Sequence, residues 1–232
     1  MEINLDAPWW PDAGIPWRYI NSTLVTTWIV MALLVGVSWL VTRGITAGTR
    51  LSRGQNLLEV LVLTLRSQIR EVSQQDPGPY LPFIGTLFLF IATANLLSLV
   101  PGFDPPTASL STTAALATCV FVAVPLFGIA RQGVAAYLRQ YLQPSVFMLP
   151  FNIIGELSRT LALAVRLYGN MMSGSVIGMI LLAFVPLFVP IVMQLFGLLT
   201  GMIQAYIFSV LAMVYIASAT QAHQQVPRTG DS

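Results

Sequence analysis

The sequence has no lysine, a single cysteine and a single histidine, and only 9% of its 232 residues are charged. An ordinary soluble domain carries roughly 25% charged residues, so this chain cannot clothe a water-facing surface. With Cys119 and His223 alone of their kinds, neither a disulfide framework nor a Cys/His metal site can be assembled from the chain itself. Cys119 falls in an apolar stretch and reads as a small packing residue. His223 falls in the polar tail TQAHQQVPRTGDS and reads as a solvated side chain. The P-loop, HExxH and GxSxG patterns are absent, so nothing here binds a nucleotide by a known local device. Internal repeats and low-complexity tracts are missing too.

What is present is apolar: 56% of the residues are hydrophobic. Runs of about 20 such residues recur, each long enough to cross a hydrocarbon core roughly 30 Å thick as a helix. The expected fold class is an all-α polytopic membrane protein. Spans are expected near 22–42, 81–100 and 110–130, followed by two overlong apolar tracts at 145–185 and 187–220. At 1.5 Å per residue each tract would extend roughly 50 to 60 Å, about twice the bilayer core. Each must therefore tilt steeply, break, or run partly outside lipid, with Pro150, Pro186 and Pro190 as break points. The leader MEINLDAPWWPDAGIPWRYINS lacks the basic region and small-residue cleavage site of a secretory signal, so the first run reads as a retained membrane helix.

Arginine orients the chain. Arg43, Arg50, Arg53, Arg66 and Arg70 follow the first span, and Arg131 and Arg139 follow the third, so both segments are expected in the cytoplasm. The leader has Glu2, Asp6 and Asp12 against Arg18, and the loop PGFDPPTASLS has no cation, so both belong outside. Five passes then leave the C-terminus inside. The expected organisation is an extracytoplasmic leader (1–21), a first transmembrane helix (22–43), a cytoplasmic-side amphipathic helix and linker (44–80), a transmembrane hairpin (81–144), a long two-helix unit (145–220) and a cytoplasmic tail (221–232). Between the first two spans, Leu57, Leu58, Leu61, Leu65 and Ile69 recur at helical spacing with Glu59, Arg66, Arg70 and Glu71 off the stripe. That stripe fits either the membrane interface or a partner protein.

The informative residues are those that should be expensive where they lie. Arginine at a helix centre costs about 2.5 to 3.5 kcal/mol on insertion scales, so such residues usually line a water path or meet a charged partner. Glu156 and Arg159, three residues apart near the cytoplasmic end of their tract, are explained by a local ion pair. Arg166 is not: it lies near the middle of the tract, and the last tract holds no acid before Asp231. A seven-residue step aligns Arg159, Arg166 and Ser173, with Asn170 one turn from Arg166. The final tract offers Gln194, Thr200, Gln204, Tyr206, Ser209 and Tyr215, and its Gly197 and Gly201 form a small-xxx-small pair. A close antiparallel hairpin would put Gln204 near the depth of Arg166, where it would serve as helix glue or orient the guanidinium.

These residues are familiar as a set. ELSRTLALAVRLYGNMMSG, followed by QAYIFSVLAMVYIASA and preceded by NLLSLVPGFDPPTASLSTTAALA, resembles subunit a of the F-type ATP synthase membrane sector over roughly residues 50–222. The resemblance implies a stator, without cofactor, metal or catalytic activity of its own, whose last two helices pack tilted against a rotating ring of c subunits. It implies b-type peripheral stalk subunits and the rest of the synthase as further partners, membrane lipid around it, no nucleic acid, and a bacterial inner membrane location. The family's essential arginine maps onto Arg166, its asparagine onto Asn170 and its glutamine onto Gln204. Ser173, Ser175 and Tyr206 are expected beside them on the ion path, with Glu156, Arg159, Asn95, Asp104 and Tyr215 in support. The carboxylate that meets Arg166 would sit on the ring, which accounts for its absence here.

The sequence also departs from the well-studied bacterial pattern. Ser175 stands where an acid is usual nine positions after the arginine, Gly197 where a His or acid precedes the glutamine, and Ser109 where an aspartate is common. Those departures resemble a divergent, alternate (N-type) branch and leave proton and sodium both open as the coupling ion. Two other classes compete: a self-contained secondary transporter binding an anion at Arg166, which would require related halves, and a structural scaffold.

Overall fold

The computed structural model describes residues 22–43, 53–100, 103–137, 147–184 and 189–221. Within them the chain is helical with no strand. Its helices are α1 (Ser22–Arg43), α2 (Arg53–Ser73), α3 (Leu81–Leu97), α4 (Leu110–Gln132), α5 (Met148–Phe184) and α6 (Val189–Gln221), with a 3-10 turn at Pro106–Ala108. Three stretches, Ser22–Leu40, Leu110–Gln132 and Ile191–Thr220, are long and apolar enough to cross a membrane, and α3 is a shorter apolar helix of 17 residues. The protein is an all-α, multi-pass membrane protein. Its leader, His223 and the tail lie outside the described residues.

Helix ends follow local chemistry. Ser109 caps α4 by accepting from the Ser111 amide, at 3.2 Å. Beyond α2, Gln74 takes a left-handed backbone (φ 53°) and its amide bonds the Arg70 carbonyl at 2.8 Å, closing the helix. Pro82 and Pro190 stand in the first turn of their helices, where a missing N–H costs little. Pro150 is likewise early in α5 and does not break it, while Pro186 falls outside the described residues. Pro125 sits inside α4, which the bilayer setting tolerates where neighbouring helices re-satisfy the backbone. Each overlong tract is thus essentially one helix, 37 residues in α5 and 33 in α6.

The bundle is built around α6, which packs against α2, α3, α4 and α5. Its residues Ala205, Phe208, Ala212, Met213 and Ile216 are buried with Ile84, Leu87 and Ile91 of α3, Val120 and Val124 of α4, and Leu163 and Leu167 of α5. The α2 stripe turns inward: Leu65 and Ile69 are buried and share a crevice with Ile84, Val210 and Met213. The chain itself therefore buries the C-terminal end of the stripe that amphipathicity alone left to lipid or a partner, with Leu58 and Leu61 half-buried. Cys119 is exposed on α4, so the packing role expected of it inside this chain is not realised.

The first half of α6 is different. Ile191, Val192, Leu195, Phe196, Leu199 and Ile203 are all exposed, as are Leu157, Leu161, Val165, Val176, Ile177 and Ile180 of α5. Apolar side chains over so long a hairpin cannot face water, and lipid or another hydrophobic surface must cover them.

Candidate functional site

Two contacts fix how α5 and α6 run past each other. Asn170 Nδ2 donates to the Thr200 carbonyl at 3.3 Å, and the Arg159 guanidinium carbon lies 5.8 Å from the Tyr215 ring centroid. The helices are antiparallel, and stepping from either contact brings Arg166 level with residues 204–208. Arg166 is exposed at the edge of the seam, and Leu163, Ala164 and Leu167 beside it are buried. Ser173, also exposed, bonds the Asn170 carbonyl at 3.2 Å. Ser175 belongs to α5, with its side chain outside the described set. Arg159, Arg166 and Ser173 thus share the exposed edge, and Asn170 reaches inward from it.

Gln204 is almost wholly buried, at 5% exposure, and its amide nitrogen has no hydrogen-bond partner among the described residues. An unsatisfied buried amide costs about 1 to 3 kcal/mol, so this N–H is a donor for which the described residues supply no acceptor. On the α6 wheel it lies about 40° from Thr200 and about 60° from Gly201, between the α5-facing and α3-facing sides. The α3 side is tightly built. Asn95, fully buried, donates from Nδ2 to the Gly201 carbonyl at 2.6 Å and accepts from the Thr107 hydroxyl at 3.4 Å. A Cβ on Gly201 would lie 2.9 Å from Asn95 Nδ2, whereas one on Gly197 would meet nothing within 4 Å. Of the two glycines that the spacing paired, one admits a close neighbour.

Tyr206 is turned to α2, where its hydroxyl donates to Gln68 Oε1 at 2.7 Å, about 160° around α6 from Gln204. At the other end of the seam a cavity of about 410 Å³ opens between α4, α5 and α6, lined by Asn152, Glu156, Arg159, Thr160, Tyr215 and Ser218 among others. Glu156 and Arg159 are neighbours on that wall, and the Arg159 guanidinium lies over the Tyr215 face. Asp104 is exposed near the 3-10 turn. Among the described residues no cluster of His, Cys, Asp or Glu could hold a metal ion.

Sequence reasoning missed Thr107 and Gln68. Thr107 was simply part of a Pro-rich loop, and nothing in its neighbours announces burial opposite Asn95. Gln68 lay between two arginines on a polar face.

The sequence pattern of the ATP synthase A chain family matches residues 24–217. The chain belongs to that family. Among its relatives, ATP synthase subunit a 2 of Acaryochloris marina (strain MBIC 11017) is 62% identical over 218 residues, covering 92% of this chain and 93% of the relative. ATP synthase subunit a 1 of Chlorobaculum parvum (strain DSM 263 / NCIMB 8327) is 61% identical, covering 89% and 91%. ATP synthase subunit a of Albidiferax ferrireducens (strain ATCC BAA-621 / DSM 15236 / T118) is 57% identical, covering 95% and 97%. The ATP synthase A chain match takes in the whole of α5 and every candidate residue on α6.

Proposed function

We propose that the chain is the stator subunit a of a rotary F-type ATP synthase, passing ions to and from carboxylates on a ring of c subunits. The observation that carries this reading is Arg166: a cation exposed on the edge of a long apolar helix pair, level with the buried, unpartnered Gln204 amide. A guanidinium does not discharge, so a fixed cation here favours the ionised form of any carboxylate brought past it. The same permanence bars an ion from slipping directly between two half-channels. The exposed apolar flanks of α5 and α6 supply a surface on which a ring can run.

In this reading Asn170, tied to Thr200, holds the seam beside Arg166, Ser173 continues the polar edge, and Ser175 is assigned to the ion path. Asn95, with Asp104 at the mouth, serves the outer side. The cavity at Glu156, Arg159 and Tyr215 is the cytoplasmic vestibule. Tyr206 anchors α6 to α2. The N-terminus is outside and the C-terminus cytoplasmic, with b-type stalk subunits holding the chain in a bacterial plasma membrane. Ser175 and Gly197, which remove the usual ionisable groups, favour the divergent branch, and two of the relatives carry numbered subunit names. Either a proton or sodium is the coupling ion.

The deciding experiment replaces Arg166 by Ala in a fully assembled complex. ATP-driven ion transport is expected to stop while ATP hydrolysis by the catalytic sector continues; near-normal coupled synthesis would leave only a scaffold. Sodium stimulation of ATP hydrolysis by the purified complex identifies the ion.

A further inference from the structure

A second charged site lies away from the seam, where α2 hands over to α3. A concavity of about 270 Å³ is lined by Leu63, Arg66, Ser67, Arg70, Asp76 and Pro77. Arg66 and Arg70 are one helical turn apart on an exposed side of α2, about 100° round the helix from buried Leu65 and Ile69. Asp76 sits in the turn just before the apolar helix α3, where the chain enters the bilayer, and its Oδ1 accepts from the Gly78 amide at 3.3 Å. That hydrogen bond fixes the turn and leaves Oδ2 available.

All three charged side chains are exposed, and no ion pair joins them among the described residues. Opposite charges that share a concavity yet stand beyond ion-pair reach leave room for a ligand bearing both signs. Leu63, 54% exposed, lines the concavity with apolar surface, and Val60, equally exposed, lies nearly a turn before it on α2. Two guanidiniums suit a phosphate, a carboxylate suits a primary ammonium, and apolar flanks suit acyl chains.

We propose that this concavity binds the headgroup of an amine-bearing phospholipid, phosphatidylethanolamine, with the phosphate on Arg66 and Arg70 and the ammonium on Asp76. The acid is what separates this from general attraction of a basic patch to anionic lipid. With Arg66 and Arg70 alone, phosphatidylglycerol would bind at least as well. A quaternary choline lacks the N–H donors that a carboxylate can bind, so phosphatidylcholine is disfavoured.

The test uses the intact synthase complex in phosphatidylcholine vesicles containing a photoreactive phosphatidylethanolamine, with crosslinks mapped by mass spectrometry. Crosslinking within residues 60–80 is expected, competed by unlabelled phosphatidylethanolamine better than by phosphatidylglycerol. Arg66→Gln and Arg70→Gln should each weaken capture roughly fivefold. Asp76→Asn keeps the turn acceptor while removing the charge, and should abolish the preference for the amine headgroup. ATP hydrolysis and subunit content, unchanged, report assembly. The proposal is overturned if the arginine variants crosslink like wild type, if phosphatidylglycerol competes equally in wild type, or if Asp76→Asn leaves the preference intact. Should an arginine variant not assemble, the Asp76→Asn competition alone decides.

Discussion

Gly201→Ala and Gly197→Ala are the same substitution one turn apart on α6, and the structure predicts opposite outcomes. At Gly201 the added Cβ would lie 2.9 Å from both Cγ and Nδ2 of Asn95 and 3.2 Å from its Cβ. Asn95 cannot retreat cheaply, because it is fully buried and its Nδ2 donates to the Gly201 carbonyl itself. Overpacking of this kind costs about 1 to 3 kcal/mol. Losing the bond and stranding the buried amide adds about 1 to 3 kcal/mol. Gly201→Ala should therefore destabilise the subunit by about 2 to 6 kcal/mol, while Gly197→Ala, facing open space, should be neutral or stabilise the helix by up to about 1 kcal/mol. The assay is thermal inactivation of the assembled complex, read beside ATP-driven ion transport below the transition. Because Gln204 follows one turn later, a displaced α6 should also reduce coupling. Removing the obstacle in Asn95→Ala should make Gly201→Ala much less harmful, giving a coupling energy of roughly 1 to 3 kcal/mol in a double-mutant cycle. Equal behaviour of the two glycine variants, or strict additivity with Asn95→Ala, would refute the argument.

Three further outcomes follow from individual contacts. Gly128→Ala would set a Cβ 2.6 Å and 2.8 Å from ring carbons of buried Tyr137, so a loss of about 1 to 3 kcal/mol is expected; a variant complex as heat-resistant as wild type would contradict that packing. Tyr206→Phe removes only the bond to Gln68 and should cost about 0.5 to 1.5 kcal/mol while leaving ATP-driven transport near normal. Abolished transport in an assembled Tyr206→Phe complex would put the hydroxyl on the ion path. Thr107→Val takes the donor from the fully buried Asn95 Oδ1 and should destabilise by about 1 kcal/mol; no change in inactivation temperature would mean that the long 3.4 Å bond contributes nothing.

Much of this molecule was legible in the residue order because bilayer physics reads composition directly. A run of apolar residues must become a helix in lipid, so the positions of α1, α3, α4, α5 and α6 followed from hydropathy. Arg166 stood out for the same reason: a permanent charge in an apolar helix is costly enough to require a purpose. Helical spacing also put Gln204 near its depth, since an antiparallel hairpin leaves little freedom along its axis. What required tertiary structure was rotation and company. The α2 stripe could face lipid, a partner or the chain itself, and only packing against α3 and α6 decides. Gly197 and Gly201 are equivalent in sequence, but Asn95 approaches one of them. Arg159 has an acid three residues away in sequence, and the fold also lays its guanidinium over an aromatic ring more than fifty residues away. The order of residues settles what a helix costs and where it runs; which neighbour satisfies each polar group depends on contacts between residues that the sequence holds far apart.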